Sequence, residues 1–134
     1  MINRPLSPHL QVYRLPMTAV LSISHRITGV LLILGLVGIP GVMAAAAAGP
    51  EMFSALFDAL HSLPGSIAVW LWIYALYFHA CHGVRHLLWD LGHGFNRDRL
   101  LIHNVIEVVI SLAFTFATYA WAGFASTVES NTPY

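Results

Sequence analysis

Ser66-Ile67-Ala68-Val69-Trp70-Leu71-Trp72-Ile73-Tyr74-Ala75-Leu76-Tyr77-Phe78-His79-Ala80-Cys81-His82-Gly83-Val84-Arg85-His86 is the stretch on which the fold turns. From Ser66 to Val84 it holds no acidic residue, lysine or arginine, and it follows the breaker Pro64-Gly65. About 20 residues at about 1.5 Å each cross the roughly 30 Å hydrocarbon core of a bilayer, so the run predicts a transmembrane helix. Its C-terminal end is crowded with His79, His82 and His86. Imidazole inside a membrane is costly, and it is normally kept there for a cofactor or a proton. The same segment therefore carries both the fold and the first candidate site.

Two further runs flank it. Ile27 to Ala48 is free of charge, and Pro40 within it is expected to kink a helix that reaches back toward Pro16. Gly49-Pro50 breaks that pattern. Val108 to Ala125 is the third run, approached through His103, Asn104 and Glu107. Each run holds about 18–22 residues, the length a membrane demands. The expected organisation is one membrane-anchor domain over residues 1–134, with a lead-in at 1–21 and transmembrane helices at about 22–48, 66–90 and 104–125. No repeat or heptad appears, and Ala44–Ala48 reads as helix filler.

Composition agrees. Hydrophobic residues make up 57% of the chain and charged residues 9%, against roughly 25% charged in a soluble domain. A chain of 134 residues cannot hide so much apolar surface in one core, so lipid must be part of its solvent. A formal net charge of zero gives no bulk field for nucleic acid or acidic substrates. The single cysteine, Cys81, excludes an internal disulfide, a CxxC metal site and the covalent haem motif C-x-x-C-H. Met1 to His9 has no apolar core after a basic start and does not read as a signal peptide, nor as an Arg/Ser-rich transit segment. A bacterial inner membrane is the expected location; a mature protein of the mitochondrial inner membrane would read alike.

The distribution of arginine sets the topology. Arg4, Arg14 and Arg26 precede or open the first run, Arg85 ends the second, and Arg97 and Arg99 lie before the third. The segment 49–65 carries Glu51 and Asp58 but no basic residue, and the tail has only Glu129. By the positive-inside rule the N-terminus is cytoplasmic (or in the matrix) and the C-terminus is on the opposite side. The expected fold is an all-α membrane protein with three transmembrane helices.

On a helix each residue turns about 100°, which sets His79, Gly83, His86, Asp90 and His82 on one face roughly 100° wide. Such a face cannot point at lipid and must meet helices or a cofactor. Gly83 leaves room for something flat or for a close helix. If the group is haem, two residues of one helix cannot take both axial positions of one iron, so the second ligand comes from another helix. His79, the deepest of the three, is the better ligand; His86 lies about 10 Å further on, near where propionates would end. His82 lines the site or bonds a carbonyl. Two other readings stay open: histidines satisfied by helix–helix hydrogen bonds, and a zinc site. Against zinc stands the spacing, since His79 and His82 have no evident third and fourth ligand nearby.

A second constellation is Ser22-Ile23-Ser24-His25-Arg26-Ile27-Thr28-Gly29, in which Ser22, His25, Arg26 and Gly29 share a helical face at the inner membrane boundary. Hydroxyl, imidazole and guanidinium there suit a carboxylate, a propionate or a quinone carbonyl. The plainer reading is that Arg26 snorkels to the headgroups. His9, His61, His93 and His103 read as interfacial, and the tryptophans as belt or packing residues. Cys81, about 200° from His79, reads as inert.

Arg4-Pro5-Leu6-Ser7-Pro8-His9 with Tyr13, then Ser22 to Gly29, then His79, Gly83, Arg85, His86, Leu87 and Asp90 resemble the boxes of the cytochrome b subunit family of succinate dehydrogenase, the larger of its two small membrane anchors. The family pattern is R-P-x-S-P-H-x-x-x-Y, S-I-x-H-R-x-T-G and H-x-x-x-G-x-R-H-L-x-x-D, and the three boxes cover nearly the whole chain. The resemblance implies a complex with a flavoprotein, an iron–sulfur protein and a second hydrophobic anchor, a heterotetramer in the membrane that can assemble further into a trimer. FAD and iron–sulfur clusters would belong to those partner subunits, and ubiquinone would be the substrate. It further implies that His79 is this chain's axial ligand to a haem b shared with the second anchor, and that Ser22 and Arg26 bind quinone. His25, Arg26, His86 and Gly83 would be propionate-side or pocket neighbours. No residue of this chain is expected to be catalytic alone, and His82 and Cys81 fill variable positions. The alternatives are a structural anchor without haem and an anchor for fumarate reduction.

Overall fold

The structure, a computed structural model, describes residues 14–94 and 96–131. The first box, Arg4 to His9 with Tyr13, lies outside the described residues. Among the described residues four α-helices follow one another, α1 (Met17–Ala48), α2 (Pro50–His61), α3 (Leu63–Asp90) and α4 (Leu100–Asn131), with one 3-10 turn at Arg97–Arg99. Among the described residues there is no strand. α1, α3 and the Leu100–Val128 part of α4 are long and apolar enough to cross a membrane.

Local chemistry explains most of the boundaries. The Pro16 carbonyl accepts the first orphan amides of α1, from Ala19 at 2.9 Å and Val20 at 3.2 Å. The helix therefore begins well before the uncharged run, and it continues through Pro40. It ends where Gly49 adopts φ +116°, a backbone angle that disfavours any side chain. The segment 49–65, which the sequence marks only as acidic and non-basic, is largely helical. Pro50 in its first turn and Glu51 at the positive end of the helix dipole start α2 there. At 12 residues α2 is too short to span. Ser62 caps α3 by accepting the Gly65 amide at 3.3 Å.

α3 is the central element, packed on one side by α1 and on the other by α4, while α1 and α4 touch only lightly. What these contacts bury is largely polar: Thr28, His82, Arg85, Asn104, Glu107 and Ser111 are buried, beside the apolar Leu21, Ala45, Ala75 and Phe78. Ile33, Leu34, Val37, Leu71 and Phe116 point outward and are exposed. In water this arrangement would be unstable; in lipid the solvent for Leu and Ile is the acyl chain, and polar groups gain by turning inward.

Away from the histidines, α3 packs by shape and by single hydrogen bonds. A Cβ on Gly35 would overlap the Trp72 indole, so α1 approaches this tryptophan only because residue 35 has no side chain. Tyr77 Oη and Thr118 Oγ1 are 2.7 Å apart, and the Tyr77 ring stacks on Phe114 with centroids 5.4 Å apart. Trp70 meets Tyr119 edge-on at 5.0 Å. These aromatics pack between helices, as expected for part of the set.

Candidate functional site

The histidine face of α3 divides between its two neighbours. His79 turns toward α1, where its Nδ1 lies 3.1 Å from the His25 carbonyl and 3.3 Å from Thr28 Oγ1. Thr28 gives its own proton to that same carbonyl at 2.9 Å. A carbonyl can only accept, so His79 Nδ1 carries the ring proton and Nε2 keeps its lone pair. A metal-ligating histidine is held in this way, with the far nitrogen fixed by a hydrogen bond and the near one free to bind. Gly29 makes the approach feasible, since a Cβ there would meet His79 Cε1 at 3.1 Å.

His25 joins the group from α1. Its ring stacks on His79 with centroids 4.0 Å apart, and lies 4.7 Å from His82 and 5.8 Å from His86. His82 and His86 meet edge-on at 4.8 Å. The second sequence constellation and the histidine run are therefore one site. The zinc reading pairs His79 with His82 and finds no third or fourth ligand; the structure instead groups His82 with His25 and His86, whose donor atoms all lie within 4.8 Å of one another, and leaves His79 out. His25 joins from α1, which spacing along α3 could not reveal.

His82 turns the other way at its second nitrogen. It is buried, and its Nδ1 lies 2.6 Å from Glu107 Oε1 on α4. The other carboxylate oxygen of Glu107 accepts from Arg85 at 3.0 Å, and the same Arg85 nitrogen donates to Asn104 Oδ1. Arg85 also lies over the Trp89 ring, 4.7 Å from its centroid. Ser111 closes the set by donating to the Glu107 carbonyl at 2.7 Å. Asn104, Glu107 and Ser111 follow one another at i, i+3 and i+7, a polar face of α4 that hydropathy marks only as the approach to a span. Glu107 is the residue most clearly missed.

Ser22 is half-buried and Arg26 exposed, both in the early turns of α1. Gly83 has no atom within 4 Å of where its Cβ would stand, leaving open space one turn beyond His79. Asp90, grouped with the histidines by helical rotation, is exposed at the end of α3. His61 bonds the Phe57 carbonyl on α2 at 2.9 Å, and His93 is exposed. Cys81, with Arg85, His103 and Glu107, lines a groove of about 650 Å³ between α3 and α4.

These residues fit a haem iron. His79 offers a free Nε2 on a ring oriented by α1, open space adjoins Gly83, and no second ligand is needed from the same helix. Comparison with known proteins points the same way. Residues 1–118 match the family described as succinate dehydrogenase/fumarate reductase transmembrane subunit. The chain is 39% identical over 121 residues to the succinate dehydrogenase cytochrome b556 subunit of Paracoccus denitrificans, covering 85% of this chain and 93% of that one. It is 34% identical over 128 residues to the cytochrome b560 subunit of Reclinomonas americana, covering 92% and 88%. The mitochondrial cytochrome b560 subunit of Homo sapiens is 35% identical over 113 residues, covering 82% and 66%.

Proposed function

The chain belongs to the succinate dehydrogenase/fumarate reductase transmembrane subunit family, and on that premise we propose that it is the membrane-anchor cytochrome b subunit of a succinate:quinone oxidoreductase. It lies in the inner membrane with its N-terminus and the 91–99 loop on the cytoplasmic or matrix side, the side that collects its arginines. The observation that carries the reading is the 3.1 Å contact between His79 Nδ1 and the His25 carbonyl, a hydrogen bond that assigns the proton to Nδ1 and leaves Nε2 of the neutral ring for iron.

His79 would hold haem b together with a histidine of the second anchor subunit. When bound, haem supplies a one-electron reservoir whose potential is tuned by axial ligands and burial. Thr28 and the His25 carbonyl fix the ligand ring. His25 and His86 would be its propionate-side neighbours, and Gly83 would leave room for it. Ser22 and Arg26 present a hydroxyl and a guanidinium on one face of α1 at the inner boundary, where they orient a ubiquinone carbonyl and steady the charge that builds on its oxygen. Electrons reach this site from the flavoprotein and iron–sulfur subunits, since the chain carries no flavin or cluster motif of its own. It contributes binding and positioning, and succinate oxidation belongs to its partners.

In the purified complex, Arg26→Ala and Ser22→Ala should lower quinone reduction while succinate oxidation by soluble artificial acceptors persists. Equal loss of both activities would show failed assembly rather than a quinone role. A purified complex with full quinone reductase activity but no reduced b-type absorption would remove haem from the account and leave a structural anchor.

A further inference from the structure

We propose that the groove between α3 and α4 is a binding site for an anionic phospholipid, whose phosphate bonds the Arg85 guanidinium and whose acyl chain lies along the two helices. The groove holds about 650 Å³. Ala80, Val84 and Leu88 of α3 and Ile106, Ile110 and Phe114 of α4 line it, two apolar rows at four-residue spacing. By helical rotation Val84, Leu88 and Cys81 stand about 140–200° around α3 from His79. The groove therefore opens away from the histidine face and from the anchor subunit that would share a haem there.

Arg85 gives the groove its polar end. The residue is only 8% exposed, and it lines the groove. Its Nη1 is spent on Asn104 Oδ1 and Glu107 Oε2. Nε and Nη2 are buried and have no hydrogen-bond partner among the described residues. Those two nitrogens form one edge of the guanidinium, the fork that takes a phosphate by two parallel bonds. Trp89 covers the face of the guanidinium, with its ring centroid 4.7 Å away, and leaves that edge to another partner. Buried donors are almost always satisfied, so an acceptor belongs here.

Depth and charge select the acceptor. From Leu88 to Tyr77 the groove runs about 16 Å along α3, close to half of the roughly 30 Å hydrocarbon core, so it is as deep as one leaflet. Its polar end is the end that collects arginine. His93 and His103 line it there, and the adjoining loop carries Arg97 and Arg99 against one acid, Asp98. A headgroup at that boundary with its chain toward the midplane has the orientation of a lipid of the inner leaflet. Glu107 already offsets the Arg85 charge, and the loop arginines supply the surplus that favours an anionic headgroup over a zwitterionic one. The site stands whether or not His79 binds haem.

The test uses the intact purified complex, in nanodiscs of phosphatidylcholine and phosphatidylglycerol for imaging and in detergent for lipid titration. A cryo-electron microscopy map should show a phosphate beside Nε and Nη2 of Arg85, with an acyl chain between α3 and α4. In native mass spectrometry the lipid-stripped complex should bind phosphatidylglycerol more tightly than phosphatidylcholine of the same chain length. Arg85→Lys keeps a charge for Glu107 but loses the fork, and should weaken the tightest phosphatidylglycerol binding about tenfold. Ala80→Phe fills the exposed track with Arg85 intact, and should remove one bound lipid per copy of this chain. A partner side chain, a quinone, a phosphate without a chain, or no density at the Arg85 edge overturns the site. Equal binding of the two lipids, or phosphatidylglycerol binding untouched by Ala80→Phe, overturns it as well. Should Arg85→Lys not assemble, the map and Ala80→Phe decide.

Discussion

Toward α1, helix α3 presents imidazoles; toward α4, it presents an ion pair. On the first side His79 and His25 stack at 4.0 Å, and the hydrogen bonds of His79 end on the His25 carbonyl and Thr28. On the second side Glu107 ties His82 and Arg85 together at 2.6 and 3.0 Å. The difference lies in what remains unspent. The α1 side keeps ring nitrogens with lone pairs, which can still take a cofactor. The α4 side commits both oxygens of its carboxylate to internal partners and holds the bundle together. His82 belongs to both, with Nδ1 on the α4 side and Nε2 on the α1 side.

Breaking the α4 side should have the largest effect on folding. Glu107→Ala leaves the buried Arg85 charge uncompensated and should cost about 3–5 kcal/mol, read as loss of assembled complex or a lowered thermal midpoint in detergent. Gly35→Val drives a side chain into the Trp72 indole and should cost about 1–3 kcal/mol by the same measurement, with the ion pair intact. Tyr77→Phe removes only its bond to Thr118 and should cost about 0.6 kcal/mol, near the average for hydrogen bonds between membrane helices. If Tyr77→Phe proved as harmful as Glu107→Ala, the ion pair would not be the main fastening between α3 and α4.

The fold was legible because lipid imposes length and charge rules that a sequence shows directly. Ser66 to Val84 could be little other than a spanning helix. α2 was harder to see, because Pro50 and Glu51 mark a helix start only locally and the segment is too short for hydropathy to single out. The site was legible by halves. Helical rotation placed His79 and His86 on one face, but rotation about one helix says nothing of what faces it. That His25 meets this face from α1, and that Glu107 meets it from α4, depends on how the helices pack. Asp90 shows the limit of the angular argument, since it shares the histidine azimuth yet sits at the exposed end of α3.

The most direct test of the account compares reduced-minus-oxidised spectra of the purified complex carrying His79→Ala or Glu107→Gln. One change falls on each side of α3. The b-type band should vanish or shift in His79→Ala and remain in Glu107→Gln, because the first removes the proposed iron ligand and the second leaves His79 and its bonds to α1 in place. An unchanged band in His79→Ala, or its loss in an assembled Glu107→Gln complex, would contradict the division of α3 into a cofactor side and a structural side.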